Sequence, residues 1–213
     1  MNELNENGRL PLDLALSTEQ MSIAASLVDH KVNLNQMDNN GRSSLHLAIL
    51  RADPRACHFL LEHGAQVNLP ETDSLNTPLH LIAHANDINL TDVASAVLKR
   101  NGDLNCQNRF GETPLHVCIK CNNGEVFDLL LEAKCNLELF NADGKPALWF
   151  ALLGEDVNSG EDSLAAKMVE AGADVNSHCN SLGEVHHFCS LYVGKYFPNS
   201  KWERGVKEEC IYF

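Results

Sequence analysis

A motif of about 33 residues recurs along the chain, and this periodicity constrains the fold more than any other feature. Its first block is a Leu, then a polar or aromatic residue, then two apolar residues. The residue after that Leu recurs at intervals of 33, 34, 36 and 33 positions, at Asp13, His46, His80, His116 and Trp149. A fixed period of this length predicts a linear array of similar units, each packed only against its neighbours.

A second block follows each first block and keeps a fixed register with it. It reads Leu-Leu-Glu-His-Gly-Ala-Gln-Val-Asn at 60–68 and Met-Val-Glu-Ala-Gly-Ala-Asp-Val-Asn at 168–176. In the first block, Thr77-Pro78 and Thr113-Pro114 combine a helix N-cap hydroxyl with a proline at the first helical position. Two blocks per unit therefore predict an inner and an outer helix in each of five units.

The residue after each outer helix is expected to adopt a left-handed conformation. Gly64 and Gly172 suit that position, and Asn101 tolerates it. Lys31 and Lys134 should each cost roughly 1 kcal/mol there, which makes the first and fourth units the weaker copies. The segments between units are predicted to form β-hairpin fingers, at Asn35–Asn40, Asn68–Ser74, Asn105–Phe110 and Glu138–Asp143.

These motifs resemble those of the ankyrin-repeat family, over roughly residues 1–176. The resemblance implies an all-α solenoid of about five helix-turn-helix repeats with β-hairpin fingers, which acts as a non-catalytic protein-binding module. It also implies that His46, His80 and His116 bond to the backbone of neighbouring fingers. The predicted repeats span 5–37, 38–72, 73–107, 108–140 and 141–176.

The repeat register fails after Asn176. Residues 177–213 contain seven of the thirteen aromatic residues, so they are predicted to form a divergent, aromatic-rich C-terminal tail. The sequence leaves open whether this tail is ordered. It ends in Cys210-Ile211-Tyr212-Phe213, which formally fits a prenylation box. We expect the chain to be a fragment or short isoform of a longer array.

The charge, the apolar content and the cysteines of the chain exclude several classes of partner and indicate its compartment. The net charge is −13, from 29 acidic and 16 basic residues, which argues against binding to nucleic acid or to an anionic membrane surface. No apolar run approaches the roughly 18 residues of a membrane span, so direct membrane insertion is not expected. Eight scattered cysteines indicate free thiols in a reducing cytoplasm. The oligomeric state stays open.

Metal and catalytic chemistry have weaker support. Cys118-x-x-Cys121 is a single CxxC pair, and Cys118 occupies the small-residue position of an inner helix, which favours packing over zinc. An irregular cluster in the tail makes a zinc-binding tail an alternative, through His178, Cys179, His186, His187 and Cys189. The sequence shows no phosphate-binding loop and no catalytic set, so neither enzymatic activity nor a cofactor is predicted.

The family resemblance places partner binding on the finger tips and on the concave inner-helix face. The finger candidates are Asn40, Arg42, Asp73, Asn76, Asn108, Arg109, Phe110, Glu112 and Lys145. The inner-face candidates are Arg51, Asn86, Lys120 and Asn122. Phe110 is the strongest of them, because an exposed aromatic residue beside an arginine is typical of a binding hot spot. The alternative is a ring that packs inward against the next finger.

Four asparagines near the ends of the second blocks resemble positions that an oxygen-dependent asparaginyl hydroxylase modifies in ankyrin proteins. They are Asn35, Asn68, Asn105 and Asn176. In the alternative interpretation, each asparagine simply closes its own turn.

Less common features resemble one endosomal branch of the ankyrin family, whose members add BTB and FYVE domains to a long repeat array. They are Ala147–Leu152 in place of the usual inner-helix motif, and the acidic insertion Gly154–Asp162. The resemblance implies a cytoplasmic scaffold at the periphery of early endosomes in endocytosis and macropinocytosis, with an early-endosomal small GTPase or trafficking adaptors as partners. We expect the chain to lack both accessory domains. The alternative function is an adaptor or substrate receptor of a ubiquitin ligase.

Overall fold

The computed structural model describes residues 4–6, 8–154 and 163–175. In these ranges the chain forms ten α-helices arranged as five inner–outer pairs, and a 3-10 helix at Ile88–Leu90. The inner helices are α1 (Pro11–Ser17), α3 (Ser44–Leu50), α5 (Pro78–Ala85), α7 (Pro114–Lys120) and α9 (Ala147–Gly154). The outer helices are α2 (Met21–Asp29), α4 (Pro54–Glu62), α6 (Thr91–Lys99), α8 (Gly124–Glu132) and α10 (Leu164–Glu170).

The helix pairs stack along one line. Each inner helix packs against its own outer helix and against the inner helices of the flanking pairs. The buried apolar residues form one continuous core that runs from Leu12 in α1 to Ala173 after α10. The predicted all-α solenoid is therefore confirmed. None of the helices among the described residues has the length and apolar character needed to cross a bilayer.

The inner helices begin as the sequence predicts. Thr77 and Thr113 are N-caps, and each forms a reciprocal capping box with the histidine three residues later. Pro78 and Pro114 occupy the first helical position, where the missing N–H costs nothing. Ser43 forms the same capping box at the start of α3 without a proline.

Each of the outer helices α2, α4, α6, α8 and α10 is followed by a left-handed residue at the predicted position. The φ angles are 90° at Gly64 and 100° at Gly172, and 58°, 60° and 59° at Lys31, Asn101 and Lys134. The two lysines adopt a conformation that is unfavourable for a side chain with a Cβ atom. The strain expected at the ends of the first and fourth outer helices is thus present in the backbone.

The fingers are shorter than the predicted β-hairpins. Isolated antiparallel bridges join Met37 to Ser43 and Phe140 to Pro146, and no longer ladder forms in the described ranges. Finger backbone bonds instead to the neighbouring finger, as where the Ala142 N–H donates to the Phe110 carbonyl at 2.9 Å. Each finger also keeps a bond across its own turn, as from the Asn141 N–H to the Lys145 carbonyl at 3.0 Å, and the next helix begins too soon for a longer ladder.

Two insertions explain why the repeat period lengthens to 34 and then 36 residues. The finger turn Glu71–Asn76 has one residue more than the turn Asn108–Glu112, and the 3-10 helix adds a turn between α5 and α6. Leu75 takes the left-handed position of the longer turn, with a φ of 57°. The other fingers have a glycine there, so Leu75 strains the backbone by roughly 1 kcal/mol.

Candidate protein-binding site

Three buried histidines fix the fingers relative to the inner helices. The Nε2 atoms of His46 and His80 each lie 2.9 Å from a finger carbonyl, of Leu69 and Glu112 respectively, and that of His116 lies 3.2 Å from the Lys145 carbonyl. A carbonyl only accepts, so Nε2 carries the proton. Nδ1 then accepts the backbone N–H of the N-cap residue three positions earlier. This confirms the structural role predicted for these histidines.

Burial keeps these histidines neutral. It lowers the pKa of His46, His80 and His116, and the hydrogen bond to the finger carbonyl offsets this effect only in part. Protonation would also place an N–H at Nδ1, directly opposite the backbone N–H that Nδ1 now accepts. The imidazoles therefore serve as rigid neutral connectors between helix and finger.

Asn108 was predicted to face a partner, and this placement is wrong. Its side chain is buried, and its Oδ1 accepts the N–H groups of Phe110 and Glu112 at 2.9 and 3.0 Å. Its Nδ2 donates to Asn76 Oδ1 at 3.0 Å on the preceding finger. Asn141 holds the next turn in the same way, because a turn this tight leaves two N–H groups that need an acceptor.

Replacing Asn108 with Ala should therefore destabilise the fold by about 1–3 kcal/mol, because two backbone N–H groups would lose their acceptor. Guanidinium unfolding followed by circular dichroism measures the change. Asn40→Ala is the matched control, because Asn40 is exposed on an equivalent tip and should change stability by less than about 0.5 kcal/mol. Equal losses for the two variants would contradict the assignment.

The finger before α5 contains a buried carboxylate. Glu71 accepts hydrogen bonds from Arg42 Nε at 3.0 Å, from Asn76 Nδ2 at 3.2 Å and from the Ser74 hydroxyl. Burial alone would raise the pKa of Glu71, but the bonds from Ser74 and Arg42 outweigh it and hold that pKa below its usual range. The polar groups of Arg42 and Asn76 are thus partly engaged within the protein.

A similar pattern occurs on the concave face. Lys120 Nζ lies 2.6 Å from Glu112 Oε1 and 5.2 Å from the centre of the Phe150 ring. Arg51 lies 2.6 Å from Asp13, a carboxylate buried at the histidine position of the first repeat. Glu112 is buried with its side chain turned toward Lys120, so its predicted exposure on a finger is wrong. In each pair the cation is the group that faces solvent.

Phe110 is an apolar residue among the predicted contact residues, and the structure exposes it. Its side chain is 59% exposed, which rules out the alternative of a ring packed inward. It borders an open groove of about 330 Å³ between two fingers. The lining residues are Arg109, Phe110, Glu112, Lys120, Asn141, Ala142 and Asp143.

The remaining predicted residues fall into two groups. Asn40, Asp73 and Arg109 are exposed on finger tips, and Lys145 is half-buried with its Nζ 5.6 Å from the centre of the Trp149 ring. Asn86 and Asn122 are exposed after the ends of α5 and α7, with φ angles of 45° and 53°.

Asparagine tolerates the left-handed conformation, so chain geometry already accounts for the residue type at Asn86 and Asn122. Sequence reasoning did not identify Leu75, whose exposed side chain lies on a finger tip. Its alignment with the glycines of the other fingers is the sequence feature that could have indicated Leu75.

Comparison with known proteins agrees with this arrangement. A family model for ankyrin repeats matches residues 1–71 and 79–179. The chain belongs to the ankyrin-repeat family. Human Rabankyrin-5 is 36% identical to it over 210 residues, which cover 86% of this chain and 18% of that protein.

Two further relatives extend the comparison. Mouse Rabankyrin-5 is 36% identical over 204 residues, which cover 83% of the chain and 18% of that protein. The chicken nuclear factor NF-kappa-B p105 subunit is 29% identical over 179 residues, or 82% of the chain and 17% of that protein. The chain thus spans less than a fifth of the length of these relatives.

The asparagines predicted as hydroxylation positions join successive ankyrin repeats. Asn35 Oδ1 accepts the Gln66 N–H at 2.9 Å, and Asn68 Oδ1 accepts the Asp103 N–H at 2.7 Å. Asn105 makes the equivalent bond, 2.8 Å in length, in the following repeat, whereas Asn176 lies outside the described residues.

The interpretation that the asparagine closes its own turn is wrong for Asn35, Asn68 and Asn105, because each of these side chains accepts an N–H of the next repeat. The hydroxylation itself stays a prediction.

Three cysteines of the ankyrin array, Cys57, Cys118 and Cys135, are buried in its core. Cys118 is fully buried in α7, and its thiol donates to the Leu115 carbonyl at 3.1 Å. Burial raises its pKa well above the usual range. Within the described ranges, no three His, Cys, Asp or Glu side chains are grouped so as to hold a metal ion. The tail 177–213, with its His/Cys cluster and Cys210, lies outside those ranges, as do residues 155–162 of the acidic insertion.

Proposed function

We propose that this chain is a non-catalytic scaffold of an endosomal trafficking protein, and that it binds other proteins through its finger tips and concave face. The observation that carries the proposal is the exposure of Phe110 beside Arg109 at the rim of an open groove. A rigid array that presents an aromatic and an arginine side chain on one edge has the composition of a binding hot spot.

The separation between buried polar residues that hold the fingers and exposed residues at the tips supports the same function. The buried histidines and Asn108 hold the fingers in place, so the exposed tip residues need no role in folding. Binding residues are commonly found on loops that a rigid scaffold positions. The tips can therefore differ from repeat to repeat while the frame stays constant.

Similarity to Rabankyrin-5 across most of the chain supports the endosomal part of the proposal. The endosomal branch of the family described above implies a cytoplasmic location at the periphery of early endosomes. An early-endosomal small GTPase or a trafficking adaptor is the corresponding partner. The proposal rests only on the part of Rabankyrin-5 that this chain matches.

Proximity labelling in cells tests both parts of the proposal. The chain fused to a labelling enzyme should enrich early-endosomal proteins over the same enzyme expressed alone. A Phe110→Ala, Arg109→Ala variant should keep the fold and lose the partners that dock on the tips. Enrichment of cytosolic proteins without early-endosomal ones would refute the endosomal assignment, and equal labelling by chain and enzyme alone would refute the scaffold.

A further inference from the structure

The finger before α5 carries a strained apolar residue at its tip. Leu75 has a φ of 57° and a side chain that is 40% exposed. The equivalent turn position holds glycine at Gly41, Gly111 and Gly144. Leucine is unfavourable in this conformation, and a side chain so exposed recovers little of the strain through burial. Backbone strain of this kind is a feature of binding and catalytic sites.

Leu75 and Phe110 lie on adjoining tips. The Arg109 N–H donates to the Ser74 carbonyl at 2.8 Å, and Arg109 Nη2 donates to the Thr72 carbonyl at 3.2 Å. Leu75 directly follows Ser74, and Phe110 directly follows Arg109. Two exposed apolar side chains are therefore held on neighbouring fingers, with the groove of about 330 Å³ beside Phe110.

Cations dominate the exposed charge around these tips. In the pairs Arg42–Glu71 and Lys120–Glu112 the cationic side chains are 37% and 46% exposed, whereas the carboxylates are 5% and 11% exposed. The cations that reach solvent here are Arg42, Arg109, Lys120 and Lys145. The exposed carboxylates are Asp73 and Asp143. The charges of these four cations and of the nearby Asp73, Asp143, Glu71 and Glu112 balance, but the groups that face solvent are mainly cationic, on a chain whose net charge is −13.

We propose that this two-tip surface, formed by Leu75, Phe110 and the four surrounding cations, docks an acidic segment of a partner protein with apolar side chains seated on the tips. The proposal rests on the scaffold function and names its partner class. An apolar centre with charge at its rim is the usual anatomy of a protein interface. Opposite charge across the interface speeds association and excludes basic competitors.

Short fluorescein-labelled peptides provide the probe, with fluorescence anisotropy on the purified full-length chain as the readout. The first peptide alternates Glu with Leu and Phe, the second has Lys in place of every Glu, and the third has Ser in place of every Leu and Phe. We expect the first peptide to bind at least tenfold more tightly than the other two, and to weaken as salt is added.

Substitutions at the tips separate binding from folding. Leu75→Gly removes both the apolar side chain and the strain, so affinity for the first peptide should fall at least tenfold while the melting temperature does not fall. Phe110→Ala should give the same loss of affinity. Ile23→Ala is the matched control, because Ile23 is 49% exposed on the outer helix α2, and it should leave binding unchanged.

Three outcomes would overturn the inference: the Lys peptide binding as tightly as the Glu peptide, both tip variants retaining full affinity, or no binding by the Glu peptide. A lower melting temperature for Leu75→Gly would also count against it, because Leu75 would then serve the fold. None of these outcomes removes the scaffold function, which proximity labelling decides independently.

Discussion

Replacing Phe127 with Ala should destabilise the array by about 3–5 kcal/mol, because the ring is fully buried and its removal leaves a cavity. Single domains have a total stability of roughly 5–15 kcal/mol, so this one change should remove a large share of it. Guanidinium unfolding monitored by circular dichroism would show the loss as a lower transition midpoint.

A comparison of the repeats alone would suggest that Phe127→Ala causes only a small loss of stability. The fourth residue of α2, α4 and α6 is Ala24, Cys57 or Ala94, and Phe127 is the fourth residue of α8. All four are fully buried, so Phe127→Ala would introduce a residue already present in two other repeats. We still expect a large loss, because the core around α8 is packed around a ring and relaxes only in part.

Phe110→Ala is the matched control, since it makes the same chemical change in the same repeat on a side chain that is 59% exposed. It should shift stability by less than about 0.5 kcal/mol. If Phe127→Ala proved as mild as Phe110→Ala, the core at α8 would have to accept small residues as readily as the cores of the other repeats do.

The array should also lose stability steeply in mild acid. The pKa values of His46, His80 and His116 are lowered in the folded chain by burial, whereas an unfolded histidine titrates near 6.5. The unfolded state therefore binds more protons, so stability is fully present above pH 6.5 and is lost as the pH falls toward the folded pKa values. With three such groups, the slope can reach at most about 4 kcal/mol per pH unit.

Denaturant unfolding at a series of pH values from 7.5 downward tests this expectation. His80→Gln removes one of the three groups, so its slope should be about a third smaller than that of the unmodified chain, although its stability at neutral pH should also be lower. The same slope in both proteins would show that His80 is protonated equally in the folded and unfolded states.

The repeat period by itself determined the fold class. Five copies of one pattern in a fixed register can each bury their apolar face only against the neighbouring copies, which gives a linear stack with a shared core. Local rules determined the helix starts at Thr77 and Thr113 and the left-handed residues that follow the outer helices. These features depend on interactions within a few residues, which a sequence displays directly. The bonds from the histidines to the fingers followed from the family resemblance.

Only the tertiary structure decided which polar finger residues are available to a partner. Asn108 and Phe110 are two positions apart, and both were predicted to contact a partner. Asn108 is nevertheless buried, whereas Phe110 is exposed. The strain at Leu75 and the burial of Glu71 beneath Arg42 were also not predictable from the sequence. These properties arise where one finger meets the next, so they depend on residues about 33 positions apart that only folding brings together.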